Sequence, residues 1–256
     1  YAVDVAAPVP LSATEADVAS SGRVRWEFTD ANLGYVYDAP TLVKTFRDGW
    51  VVLVASGYNN PDGKGILYVL NPTDGSILTK LSTGVGTNDD PSGLSTIRAF
   101  TVSRKDPYVL QAYGGDLKGN VWRFDVNDTI APTGLEAQQL ADLRGPGGAV
   151  QSITARPELG LVAGYPVVYV GTGRYLGVKD FNDTSVQSMY AIKDAGTATS
   201  YGNPRSDLTA AGFVQQTMTA GICGTSDFCT AGTKIRTGSG YAVNFSTQRG
   251  WFIDLP

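Results

Sequence analysis

No histidine occurs in the 256 residues, so imidazole bases, Ser-His-Asp and Cys-His couples and His-ligated metals are all excluded. What could still do chemistry is a set of oxygen-rich loops, one glycine turn, two cysteines and some loop tyrosines. Asn59-Asn60-Pro61-Asp62-Gly63-Lys64-Gly65 has the oxygens of a cation loop, yet Asn and Asp in such a run bond their own backbone, and a β-turn is the reading adopted. Asn88-Asp89-Asp90-Pro91 sets two carboxylates side by side without the alternating spacing of a calcium loop, and reads as a solvated loop. Asp180, Asn182 and Asp183, with Thr184 and Ser185 beyond, come nearest to that spacing, but no glutamate stands at the twelfth loop position. Gly171-Thr172-Gly173-Arg174-Tyr175-Leu176-Gly177 leads into a polar loop rather than a helix, so it fails the context of a dinucleotide fingerprint. Cys223 and Cys229 are too few for a structural zinc site without histidine, and a local disulfide suited to an oxidising compartment is expected. Closing so short a loop contributes about 2 kcal/mol in the chain-entropy picture. Tyr35, Tyr37 and Tyr58 sit in loops beside strands and could contact a glycan or a partner, although such tyrosines more often pack between sheets.

The elements that must position these residues are strands. Gly 31 and Pro 13 supply many turns, charged residues are only 17%, and the best helical pattern, Leu135-Glu136-Ala137-Gln138-Gln139-Leu140, is short. Five segments share an aromatic first residue and an apolar third: Tyr1-Ala2-Val3-Asp4, Tyr68-Val69-Leu70-Asn71, Trp122-Arg123-Phe124-Asp125, Tyr190-Ala191-Ile192-Lys193 and Trp251-Phe252-Ile253-Asp254. A β-rich run ending in small residues precedes most of them, as in Val51-Val52-Leu53-Val54-Ala55-Ser56-Gly57, Val109-Leu110-Gln111-Ala112-Tyr113-Gly114-Gly115 and Val167-Val168-Tyr169-Val170-Gly171. A further strand follows, clearest in Arg23-Val24-Arg25-Trp26-Glu27-Phe28 and Ser76-Ile77-Leu78-Thr79-Lys80-Leu81.

A strand, glycine turn, strand, Asp/Asn-Gly turn, strand order recurring about every 60 residues is the pattern of a β-propeller blade. Within Asn71-Pro72-Thr73-Asp74-Gly75, proline sets φ and Asp-Gly supplies the positive-φ position that reverses the chain. The expected fold is therefore all-β, a single propeller domain or fragment over 1–256 built of four-stranded antiparallel blades. Whole blades are expected at roughly 41–83, 95–143 and 150–220, with partial blades at both ends, each terminal segment reading as a third strand. On that reading the chain is an incomplete part of a larger ring of about seven blades, whose targeting segment lies elsewhere. The segment 195–237, rich in Gly, Ser, Thr and Ala, is expected to be a long insertion and the main recognition surface.

The order of several motifs resembles the PilY/PilC-type C-terminal propeller of type IV pilus tip-associated adhesins and assembly factors. They are Trp26-Glu27-Phe28-Thr29-Asp30, Tyr58-Asn59-Asn60, Gly115-Asp116-Leu117-Lys118-Gly119-Asn120, Val170-Gly171-Thr172-Gly173-Arg174-Tyr175 and Arg249-Gly250-Trp251-Phe252-Ile253-Asp254, spread over essentially the whole chain. The resemblance implies a non-enzymatic module of pilus biogenesis and adhesion. It would support the balance of extension and retraction, twitching motility, virulence and surface attachment. It implies minor pilins or pilus tip proteins, and a host or abiotic surface receptor, as partners, and a cell-surface location at the pilus tip or outer membrane after export through the periplasm. In some members a calcium loop precedes the Gly-Asp-Leu-x-Gly-Asn motif. Here the only carboxylate between Ser95 and Gly115 is Asp106, beside Arg104 and Lys105, so that loop is expected to be lost and no cofactor is expected.

Two other propeller classes remain as alternatives: a quinoprotein-type dehydrogenase, which would need convergent carboxylates for calcium and a stacking tryptophan, and an outer-membrane assembly scaffold. Other partners are disfavoured. The chain carries 20 Lys+Arg against 24 Asp+Glu, a formal charge of −4. A pI near 4.8 argues against nucleic acid. No apolar run approaches the ~18 residues of a membrane helix.

Overall fold

The computed structural model describes residues 1–6, 12–14, 16–17, 21–101, 103, 105–130, 134, 136–225 and 228–255. Arg104 and Leu135, both named above, lie outside the described residues. The chain opens with a two-stranded antiparallel pair, β1 (Ala2–Val3) and β2 (Val24–Trp26). The first full sheet is the meander β3 (Thr41–Thr45), β4 (Gly49–Ala55), β5 (Ile66–Leu70) and β6 (Ile77–Ser82). A second meander follows in β7 (Ile97–Thr101), β8 (Val109–Gly115), β9 (Asn120–Phe124) and β10 (Ala137–Asp142). The third sheet starts likewise with β11 (Glu158–Val162), β12 (Tyr165–Gly171) and β13 (Gln187–Lys193). The chain then leaves through β14 (Phe213–Gln216) and a separate hairpin of β15 (Met218–Ile222) and β16 (Lys234–Gly238), and returns as β17 (Gly250–Leu255). In this sheet the order is β11-β12-β13-β17-β14, with β17 antiparallel to β13 and parallel to β14.

The sheets stack face on face. One apolar cluster joins Leu53, Leu67 and Leu81 of the first sheet to Val109, Ala112 and Phe124 of the second. Another joins Tyr113 and Val121 of the second to Val168, Tyr190 and Phe252 of the third. The middle sheet is therefore covered on both sides, and every residue of β9 is buried. This successive stacking of antiparallel four-stranded meanders is the blade-on-blade arrangement of a β-propeller. The turn 71–75 forms as its residues dictate: Asn71 Oδ1 accepts the Thr73 N–H at 2.9 Å, and Gly75 takes φ 74°. Trp26 locks β2 onto that turn by donating its Nε1–H to the Pro72 carbonyl at 2.9 Å.

Two expectations about the blades need correction. The third blade does not close within 150–220: its fourth strand is β17, delivered from 250–255 after a long excursion. Consequently 251–254 starts no further blade, and there is no partial blade at that end. Trp251-Phe252-Ile253-Asp254 shares the aromatic pattern of the third strands because β17 is also flanked by a strand on each side, so its alternate residues meet the same packing. The helical pattern at 135–140 was overridden too; pairing with β9 makes Ala137–Asp142 a strand.

Candidate functional site

The turns β4–β5, β8–β9 and β12–β13 occupy equivalent places in successive blades, and they share one end of the stack. The close approach begins at glycines. A Cβ on Gly57 would fall 2.0 Å from the Tyr35 carbonyl oxygen, and one on Gly34 would fall 2.1 Å from that of Tyr58. Without those atoms the segments pair directly: the Tyr35 N–H donates to the Tyr58 carbonyl at 2.7 Å and the Tyr58 N–H donates back at 3.1 Å. Gly57, at φ 71°, also exchanges both backbone bonds with Leu94, at 2.9 and 3.0 Å, tying the first blade to the lead-in of the second.

The three loop tyrosines then take different roles. Tyr58 is buried, and burial pushes its hydroxyl pKa up although the Ser95 hydroxyl bonds it. Tyr37 packs on it with ring centroids 5.9 Å apart, yet Tyr37 is 75% exposed and Tyr35 64%. Between these rings and the long β12–β13 turn lies an open pocket of about 420 Å³, also lined by Asn59, Leu176 and Lys179. A second pocket of about 490 Å³, lined by Asp89, Asp90, Asp183 and Gln187, adjoins it. Pro91, Leu117 and Arg174 line both, so the two form one continuous cleft. Loops that the sequence offers as four unrelated candidates (58–60, 88–91, 171–177 and 180–185) thus converge on a single surface.

Asp180 builds the far wall. Its Oδ2 accepts the Leu176 and Gly177 N–H groups at 2.8 and 3.1 Å, and its Oδ1 accepts the Arg174 Nε–H at 2.9 Å. The Leu176 bond, then Arg174, outweigh desolvation and hold this carboxyl below its usual pKa. Asp183 is lowered chiefly by the Ser185 hydroxyl, and its Oδ1 accepts the Ser185 N–H. Asp180 is therefore spent on loop structure. Among the described residues no group of three or more His, Cys, Asp or Glu is placed to hold a metal ion.

The motif residues around 115–120 are structural. A Cβ on Gly115 would meet Ile153 at 2.2 Å, so only glycine lets the third blade's lead-in approach. Asp116 is completely buried and accepts four hydrogen bonds, from the Lys118 and Asn120 N–H groups (each 2.9 Å), Asn120 Nδ2 and Trp122 Nε1 (each 2.8 Å). Burial nevertheless raises its pKa against those bonds. Gly119 bends the turn at φ 84°. Asn120 Oδ1 takes the Gln139 Nε2 proton at 2.6 Å, which ties in β10. Asn60 is likewise turned inward, its Nδ2 donating to Asp62 Oδ1 at 2.9 Å and to the Lys64 carbonyl at 2.7 Å. The neighbouring Asn59 stays exposed, at φ 56°.

Asp106 lies at the opposite end of β8 from Asp116. Its Oδ1 accepts the Tyr108 N–H at 3.0 Å, and Lys105 stands beside it. One carboxylate already engaged by its own turn is a donor set that does not fit calcium. Cys223 and Cys229 form a disulfide, which closes the outer end of the β15–β16 hairpin. Sequence reasoning missed a second buried ionic centre, Arg123 Nη1 on Asp194 Oδ1 at 2.8 Å, with the Tyr113 hydroxyl on Asp194 Oδ2 at 2.8 Å. The only hint lay in Arg123, a charged residue inside the otherwise aromatic pair Trp122 and Phe124, and in Asp194 directly after Lys193.

Comparison with known proteins decides the family. The model of the PilY1 beta-propeller domain matches residues 2–228. The chain belongs to the PilY1 β-propeller family. It is 30% identical, over 91% of its length, to the type IV pilus biogenesis factor PilY1 of Pseudomonas aeruginosa PAO1, covering 22% of that protein. It is 27% identical over 96% of its length to a PilY1 homologue of Xylella fastidiosa, covering 17% of it. The crystal structure of the Pseudomonas aeruginosa PilY1 C-terminal domain superposes with a TM-score of 0.68 at 26% identity, covering 89% of this chain and 51% of that one. The chain thus spans about a fifth of the length of these PilY1 relatives and half of the solved domain.

Proposed function

We propose that this chain is the propeller part of a type IV pilus biogenesis factor and that it works by binding rather than catalysis. The match to the PilY1 propeller along most of the chain carries the reading. The site chemistry agrees: the cleft carboxylate with the strongest contacts, Asp180, is committed to backbone N–H groups, and no histidine is available as a proton carrier. The partners are minor pilins or pilus tip proteins, together with a surface receptor, and the place of action is the cell surface at the pilus tip or outer membrane. The disulfide-closed hairpin within 195–237 supplies one contact surface and the cleft supplies another.

The quinoprotein alternative is weaker. Trp122 gives its Nε1–H to Asp116 and Trp26 gives its own to Pro72, so both are built into blade packing. Calcium is proposed to be absent from the loop holding Asp106, and a titration that detects tight calcium binding there would reverse this.

The decisive experiment is a chimera. The matching propeller segment of a full-length PilY1 relative is replaced by this chain and expressed in a strain lacking its own factor. Surface piliation is expected to return; an exported, folded chimera that leaves cells without pili would overturn the reading.

A further inference from the structure

The cleft has features that go beyond a generic contact surface. Tyr35 and Tyr37 present large, stiff rings to solvent, and the buried Tyr58 supports Tyr37 from beneath. Asn59 holds a left-handed backbone conformation at φ 56° while its exposed side chain lines the same pocket. The opposite wall is fixed in advance by Asp180 on Leu176 and Gly177.

Charge narrows the ligand. Arg174 is paired with Asp180, and Lys118 with Asp90, so cations and anions alternate along the cleft. Asp89 and Lys179 make no ion pair among the described residues and remain as isolated polar groups at its two ends. Such a lining sets up no single-sign field for an anionic polymer. Backbone geometry excludes strand addition by a peptide at the tyrosine wall. The N–H and C=O groups of Tyr35 and Tyr58 already satisfy each other, Gly57 is bonded to Leu94, and the Gly34 N–H to Ser56. No free strand edge is offered there.

We propose that this cleft is a carbohydrate site that takes an uncharged oligosaccharide. Aromatic faces attract the electropositive C–H face of a sugar ring. Tyr37 and Tyr35 are the stacking platforms, and Asn59, Lys179 and Asp89 bond the ring hydroxyls along an open cleft of two adjoining pockets of about 420 and 490 Å³. The proposal deepens the surface-attachment half of the function above and rests on that reading only for its biological setting.

The test is binding of the purified 256-residue protein to a printed glycan array. Solution titrations then follow with cellotetraose, chitotetraose and a neutral lacto-series tetrasaccharide, observed by NMR. Binding of at least one uncharged glycan is expected, with shifts at 35–37, 59 and 176–179. Tyr37→Ala should weaken it about tenfold and Tyr35→Ala several-fold, with thermal midpoints unchanged because both rings are exposed. Asn59→Gly, which accepts the same φ, should also weaken binding while preserving the fold. Several results would overturn the proposal: a silent array, binding confined to sulfated glycans and abolished by salt, affinity indifferent to both tyrosine variants, or a peptide ligand occupying these residues while no sugar does. Loss of piliation in the chimera with sugar binding intact would count against the biogenesis reading alone. A silent array beside restored piliation would count against the sugar site alone.

Discussion

The β8–β9 and β12–β13 turns do the same topological job in neighbouring blades, and they do it in opposite ways. The first spans 116–119 and gathers four donors onto one completely buried carboxylate. The second spans 172–186 and uses Asp180 to fix only its own first bend, leaving Tyr175, Val178 and Phe181 at least 65% exposed. A turn that spends its carboxylate internally adds only Leu117 and the ion-paired Lys118 to the cleft, whereas a longer one can hold its shape and still present several side chains. The more recognisable motif is therefore the structural one.

The sharpest way to break this contrast is Asp116→Ala. It strands four donors in or beside the interior, and a loss of about 3 kcal/mol is expected. Urea denaturation measures this, and a loss under 1 kcal/mol would refute the structural role. Gly57→Ala comes next: the added Cβ would collide with the Tyr35 carbonyl and strain a residue at φ 71°. A cost of about 2 kcal/mol is expected, together with displacement of the Tyr35 and Tyr37 resonances. Replacing Cys223 and Cys229 together by serine should remove at most about 2 kcal/mol. The effect should appear first as faster amide exchange within 218–238, because that hairpin is largely exposed.

The smallest effect is the acid response of the long turn. Asp180 has a lowered pKa in the folded protein, so its contribution is fully present above the unfolded value of about 3.9 and is lost as pH falls through the lower folded value. The Leu176 and Gly177 amides should keep their exchange protection down through the ordinary carboxylate range and lose it only at more acid pH, while the sheets remain intact. Protection of these amides that is unchanged in Asp180→Asn at neutral pH would show that the carboxylate does not hold the turn.

Much of the fold is legible in the chain itself, because strands flanked on both sides need an apolar or aromatic residue at alternate positions. Tyr68, Trp122 and Tyr190 announce their strands for that reason. The same logic misplaced Trp251, since the pattern reports neighbours on both sides and not the rank of a strand within its blade. The edge strand β10 was illegible: with one flanking strand, Gln138 and Gln139 are only half-buried and carry little β pattern. For the cleft, the residue types were visible but their meeting was not. Asn59, Asp89 and Lys179 lie far apart in sequence, and only the stacking of three blades brings them to one surface.

The lodging of β17 between β13 and β14 has one more consequence. A protease that cuts within 230–249, beyond the Cys223–Cys229 disulfide, would produce two pieces that share a single sheet, the C-terminal piece clasped on one side by Gln187–Ile192 and on the other by Phe213–Gln216. The nicked molecule should migrate as one particle under native conditions and separate only in denaturant. The chain can therefore be clipped between the outlying hairpin and β17 without the third sheet coming apart.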